Sequence, residues 1–210
     1  MIDPRYSEDE QAERLKEWWK KNGTSIVVGV VVGVGAIAGV NYWRDYTRTQ
    51  SENASHQFAQ MMTATGQEAE LAGSELMQDY AGTPYAGLAA LFLAKEKYAA
   101  GESEESAGML RWALENTTLP GIQHPARLRL ARVLLEQGKI EQAEKLVDVE
   151  NYEGFDSEYR ELRGDMAISR GDAQAARTAY EEALQGMTPG SPYSNLLVMK
   201  LDHATGNPGK

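Results

Sequence analysis

The chain has 210 residues, no cysteine, 31 acidic and 21 basic side chains, and a formal net charge of −10. The missing thiol excludes a disulfide, a thiolate metal site and a cysteine nucleophile. The acidity disfavours nucleic acid and anionic lipid surfaces, whose phosphates would repel it, and the length leaves room for one membrane span and one domain of roughly 165 residues.

Residues 1–21 hold five of the basic and six of the acidic side chains. Ser7 to Glu10 has capping-box spacing, and Ala12, Leu15, Trp18 and Trp19 follow helical periodicity, which predicts a helix in this tail. From Asn22 to Trp43 no residue is charged, and Ile26 to Val40 carries no polar side-chain atom. As a helix, residues 22–43 would be about 33 Å long, enough for a hydrocarbon core of about 30 Å. Trp18 and Trp19 beside Lys20 and Lys21 mark one edge, and Tyr42, Trp43 and Tyr46 around Arg44 mark the other. Amphipathic rings and snorkelling cations belong at headgroup level. Residues 22–43 therefore read as a transmembrane helix.

Other readings of this run fit less well. Ala36-Ile37-Ala38 has the form of a signal-peptide cleavage site, but the preceding segment is rich in acidic residues. Gly33-Val34-Gly35 lacks the strand–helix unit of a nucleotide fingerprint. A core helix of a soluble protein would need an apolar shell on every side.

Lys16, Lys20 and Lys21 precede the span, whereas Arg44 and Arg48 are followed by no basic residue before Lys95. The positive-inside bias predicts a cytoplasmic tail and an exported domain, which in a bacterium lies in the periplasm. Gly29 with Gly33, and Gly35 with Gly39, are small-xxx-small pairs on roughly opposite faces of the span. They are either packing faces for partner helices or glycines tolerated in a lipid-facing helix.

Residues 44–82 keep helical spacing through Ala54, Phe58, Met61 and Met62, then Ala69, Ala72, Leu76 and Tyr80. They form a connector and the first helices of an all-α domain. Over 83–205 the punctuation becomes regular. Thr83-Pro84 and Ser191-Pro192 are helix starts, and Gly101, Gly138 and Gly171 separate paired helical patterns. The last two are 33 residues apart, an offset shared by Ala131 with Gly164 and by Ala143 with Ala176. This is the period of a tetratricopeptide-like helix–turn–helix repeat. Small residues let the paired helices cross closely, with Leu134 and Tyr180 as candidate fillers. Units are expected at about 84–116, 124–150 and 157–187, then a capping helix over 191–205 and a flexible tail at 206–210. The repeats are degenerate: Arg127 and Arg160 stand where an aromatic is usual, and an insertion falls at Leu119-Pro120-Gly121.

No catalytic constellation is visible. His56, His124 and His203 lack metal-ligand spacing. His124 precedes Pro125 at an expected helix start, and the acidic run Glu102 to Glu105 suits a helix dipole. The chain reads as a binding protein without metal or cofactor. A solenoid presents a concave surface lined mainly by the first helix of each unit. In this register that surface carries Leu88, Leu91, Lys95 and Tyr98, then Leu128, Arg132 and Leu135, then Glu161, Asp165 and Ile168. Apolar and charged positions interleave there, as suits an extended or helical peptide, although several could simply pack against the adjacent unit.

The tail sequence from Lys16 to Gly23, the Val/Gly-rich span, Asn41-Tyr42-Trp43, and the closing run from Leu196 to Asp202 together resemble the YfgM-like family of ancillary SecYEG translocon subunits. The resemblance covers nearly the whole chain and is strongest over 13–50 and 160–202. It implies an inner-membrane protein of Gram-negative bacteria with a periplasmic tetratricopeptide-like domain. It further implies association with SecYEG and the periplasmic chaperone PpiD, assistance to unfolded exported proteins, a regulatory cytoplasmic tail and no catalytic residues. A scaffold for cell-envelope assembly is the alternative reading.

Overall fold

The computed structural model describes residues 8–187 and 191–206, among which there are nine helices and no strand. The chain divides into two units, 1–50 and 51–210.

The first unit is the N-terminal portion of α1 (Glu8–Thr63), a helix of 56 residues. The proposed cap at Ser7 lies outside the described residues. Valine and glycine are poor helix formers in water, yet the helix runs through Ile26 to Val40 without a break. In lipid that is the expected outcome, because each backbone N–H and C=O must find its partner within the segment. The valines of this run are exposed along its length, and α1 is long and apolar enough to cross a membrane. Nothing lies within 4 Å of where a Cβ would sit on Gly29, Gly33, Gly35 or Gly39.

The second unit begins with the end of α1, where Ala54 and Met61 are buried. There follow α2 (Gln67–Asp79), α3 (Pro84–Ala99), α4 (Ser103–Asn116), α5 (Pro120–Glu136), α6 (Ile140–Val147), α7 (Asp156–Ser169), α8 (Ala173–Gln185) and α9 (Pro192–Ala204). Chain neighbours pack as hairpins, α3 on α4, α5 on α6 and α7 on α8, while α3, α5 and α7 also meet side by side.

The local chemistry explains these boundaries. Thr83 Oγ1 accepts from Ala86 N, and Ser191 Oγ accepts from Tyr193 N, each before a proline that needs no N–H partner. Gly101, Gly138 and Gly171 have φ of +82°, +73° and +77°. Each is followed by a residue whose N–H reaches back five positions: Glu102 to Lys97 O, Lys139 to Leu134 O, and Asp172 to Ala167 O. This left-handed stop satisfies the last carbonyls, and glycine adopts it without steric cost.

Helix crossing follows the small-residue logic. Ala131, Ala143 and Ala176 are buried, as are Leu134 and Tyr180. At Gly164 an added Cβ would lie 2.3 Å from Tyr180 Cε1, so the ring occupies the space that the glycine leaves.

Two expectations need correction. The second helical repeat starts at Pro120, not near residue 124. The inserted residues Leu119, Pro120 and Gly121 supply the N-cap and first turn of α5, and Pro125, expected near a helix start, lies inside that helix. Proline at Pro120 supplies a preset φ where no N–H is needed, so it wins the start position. His124 is consequently a core residue. Its Nδ1 is 2.8 Å from Tyr159 Oη, and its ring stacks on Phe155 with centroids 5.1 Å apart. Tyr159, beside Arg160, supplies the aromatic missing at that position, and burial pushes its phenol up to about 12. The tail beyond Gly206 lies outside the described residues.

Candidate functional site

The second unit carries a groove along α5. Arg129, Arg132 and Glu136 are spaced three and four apart, so they project from one helix face. Toward α3 and α4 they border a recess of ≈ 290 Å³, rimmed also by Lys95 and Tyr98 and floored by Ala94, Ser106, Leu110 and Val133. Toward α7 and α9, Arg132 and Glu136 border a second cavity of ≈ 880 Å³. Its apolar lining comes from Leu135, Ile168, Leu196 and Met199, and its polar lining includes Glu161, Asp165, Tyr180, Tyr193 and Lys200. Arg132 and Glu136 line both cavities, so the two adjoin along α5 as the narrow and wide ends of one groove.

Glu161 organises the wider end. It is only 1% exposed, and burying a carboxylate is costly unless donors surround it. Three do. Lys200 Nζ donates to its Oε1 at 2.6 Å, Arg132 Nη2 donates to Oε2 at 3.0 Å, and the Tyr193 hydroxyl also donates to Oε2. Burial alone pushes the Glu161 carboxyl up. The hydrogen bonds from Lys200 and Tyr193 and the charges of Lys200 and Arg132 outweigh it, leaving the carboxyl below its ordinary range. Lys200 Nζ also lies 2.7 Å from both oxygens of Asp165, and Tyr180 Oη donates to Asp165 Oδ1 at 2.8 Å. Burial first, then hydrogen bonds to these carboxylates, raise the Tyr180 and Tyr193 phenols well above their usual range.

Both carboxylates are occupied by donors from neighbouring helices, an arrangement that fixes the shape of the wide end. Across the narrow end, Tyr98 Oη donates to both carboxylate oxygens of Glu136, at 2.7 and 2.8 Å, joining α3 to α5. Among the described residues, no group of three or more His, Cys, Asp or Glu side chains is arranged to hold a metal ion.

Of the residues expected on the concave face, Lys95, Tyr98 and Arg132 line the narrow end, and Arg132, Leu135, Glu161, Asp165 and Ile168 line the wide end. Leu91 and Leu128 do not: they are 8% and 3% exposed and belong to the main core. Lateral packing of α3, α5 and α7 consumes them. Leu88 is partly open, at 37%, but borders neither cavity. Sequence reasoning missed the contribution of α9, although Leu196, Met199, Lys200 and His203 are spaced as one helical face. It also missed Arg129, which lies three before Arg132.

Fold and groove define a class: a helical-repeat scaffold for protein binding, in a chain whose N-terminal helix is long and apolar enough to cross a membrane. The family model described as a tetratricopeptide repeat-like domain matches residues 16–206. The ancillary SecYEG translocon subunit of Escherichia coli (strain K12) is 30% identical over 200 residues, covering 94% of this chain and 96% of its own length. The protein of the same name from Haemophilus influenzae (strain ATCC 51907 / DSM 11121 / KW20 / Rd) is 28% identical, covering 85% and 89%. That from Neisseria gonorrhoeae (strain ATCC 700825 / FA 1090) is 27% identical, covering 93% and 96%. No solved structure matches significantly. The chain belongs to the tetratricopeptide repeat-like family of ancillary SecYEG translocon subunits.

Proposed function

We propose that this chain is a non-catalytic, single-pass inner-membrane protein whose tail is cytoplasmic and whose repeat domain is periplasmic. In this reading the domain works beside a SecYEG translocon and holds segments of exported polypeptides in the groove along α5. The observation that carries the reading is the pair of adjoining cavities along α5, where apolar side chains are interspersed with charges and those of the wide end, Arg132, Glu161, Asp165 and Lys200, are already paired within the wall. Such a surface accepts side chains of many sequences without demanding that each charge find a partner in the ligand. The names of the relatives support SecYEG as the neighbour. The family resemblance supports PpiD as a further partner, and the Lys/Arg asymmetry about the span supports the orientation.

A photo-crosslinking residue at Met199, an exposed groove position, tests this in cells against one at Arg177, exposed on α8 outside the groove lining. An arrested secretory chain should crosslink to position 199 and not to 177, and SecYEG subunits should co-purify with the protein in mild detergent. Equal crosslinking at both positions would remove the groove as the site. Absence of SecYEG from the purified material would remove the translocon as the neighbour.

A further inference from the structure

The narrow end of the groove differs in charge from the domain around it. Residues 44–210 carry 25 acidic and 16 basic side chains, yet the recess is bordered by Lys95, Arg129 and Arg132 against one carboxylate, Glu136. Glu136 is already engaged by the Tyr98 hydroxyl. Arg132 is committed to Glu161. Lys95 has only a long contact of 3.7 Å with its exposed chain neighbour Glu96. Among the described residues Arg129 is exposed and has no ion-pair partner. The fold therefore uses Arg132 and leaves Lys95 and Arg129 facing solvent over an apolar floor.

Facing solvent, these cations attract an anion most strongly at low ionic strength, where exposed charges are least screened. Two such cations over Ala94, Leu110 and Val133 form a subsite for a carboxylate attached to an aliphatic segment. We propose that the recess bordered by Lys95 and Arg129 selects an aspartate or glutamate side chain, within an extended polypeptide segment whose neighbouring apolar side chains lie along the groove toward Leu135 and Ile168. The inference rests on the polypeptide-binding reading above and adds the chemical preference. An internal acidic residue is favoured over a chain terminus for two reasons. Lys95 and Arg129 both border the recess and are exposed. The recess also adjoins the wider cavity, with which it shares Arg132 and Glu136, so chain on either side of the acidic residue has surface to lie on.

The test uses the full chain in detergent micelles and fluorescent, end-capped peptides of leucine, serine and glycine. One has a central aspartate, one has asparagine in its place, and one is neutral with a free C-terminal carboxylate. The aspartate peptide should bind at least tenfold more tightly than the asparagine peptide at low salt, and the ratio should fall as salt rises. Lys95→Gln with Arg129→Gln should reduce the ratio to about one while asparagine-peptide binding persists. Lys95→Glu with Arg129→Glu should reverse it in favour of a lysine-bearing peptide, which a misfolded variant would not do. Equal binding of the aspartate and asparagine peptides by the unaltered protein overturns the acidic preference but leaves the groove reading standing. Absence of binding by any peptide overturns both. Preference for the free terminus over the internal aspartate would replace the proposal with a chain-end site.

Discussion

Gly164→Ala is the sharpest probe of how the last repeat is built. The methyl carbon would lie 2.3, 2.6 and 2.9 Å from three ring atoms of Tyr180, where ordinary contact needs about 3.5 Å or more. The ring is rigid and 2% exposed, and its hydroxyl is tied to Asp165 Oδ1 at 2.8 Å. It therefore cannot rotate away without losing that bond and disturbing the core around Ala176, Ala183 and Leu197. Overpacking of this kind costs about 1–3 kcal/mol, and the lost hydrogen bond adds about 1 kcal/mol. Alanine returns about 1 kcal/mol as the better helix former. The net expectation is a loss of about 1–3 kcal/mol, or a fall of about 2–12 °C in Tm for a domain of this size. The assay is thermal and chemical denaturation of the unaltered and variant proteins, repeated with Tyr180→Leu as background. In that background the ring is gone and the cost of the alanine should largely disappear. A Gly164→Ala protein as stable as the parent, or the same penalty in both backgrounds, would refute the claim that the glycine exists to admit the ring.

Three further outcomes are expected. Lys200→Met removes one of three donors to Glu161 and the cation held by Asp165; it should cost roughly 1–3 kcal/mol, discounted for the partial exposure of the lysine, and hydrogen exchange should show α9 opening before α5 and α7. Stability should fall with acid in two windows. Burial, aided by Arg127 and opposed by Glu153, lowers the His124 pKa, so the unfolded chain takes up a proton first, and stability that is full above about pH 6.5 is lost below it. Glu161, whose folded pKa is depressed, contributes above about pH 4.5 and loses that contribution as pH falls through the folded value. Urea denaturation across pH measures both, and His124→Gln should flatten the upper window only. For orientation, Asn53→Cys should label with an impermeant maleimide in intact spheroplasts and Ser7→Cys should not; the reverse pattern would invert the topology.

What the sequence revealed depended on how locally each feature is determined. The stops at Gly101, Gly138 and Gly171 and the caps at Thr83 and Ser191 involve chain neighbours alone, so composition and spacing were enough to find them. The pairing of Gly164 with Tyr180 links residues on adjacent helices; the 33-residue offset pointed to Gly164, and Tyr180 was legible only as a candidate filler. The groove was legible only in part, because helical period shows which residues share a face but not how far a neighbouring helix covers it. Leu128 and Arg132 are four apart on α5, yet the first is in the core and the second lines the groove. Pro125 misled for a related reason. A proline signals a start, but Pro120 offered an earlier one and the helix accommodated the second. The role of α9 was not legible because Lys200 finds Glu161 and Asp165 across 39 and 35 residues of chain.

The buried carboxylate of Glu161 raises a question of design. Replacing a buried ionic cluster with apolar residues of similar volume is often neutral or stabilising, so stability alone does not account for it. Register offers a physical reason. Glu161 and Asp165 are one turn apart on α7, and Lys200 reaches both. A slide of α9 by one turn would move Lys200 by about 5.4 Å, separating it from at least one carboxylate and removing the Tyr193 donor from Glu161. An apolar contact between Leu197 and the α8 core would tolerate such a slide, because greasy surfaces repack with little penalty. The ionic cluster therefore fixes the position of α9 in a way that hydrophobic burial does not. Since Leu196 and Met199 form the far side of the wide cavity, fixing α9 also fixes the width of the groove that a polypeptide would enter.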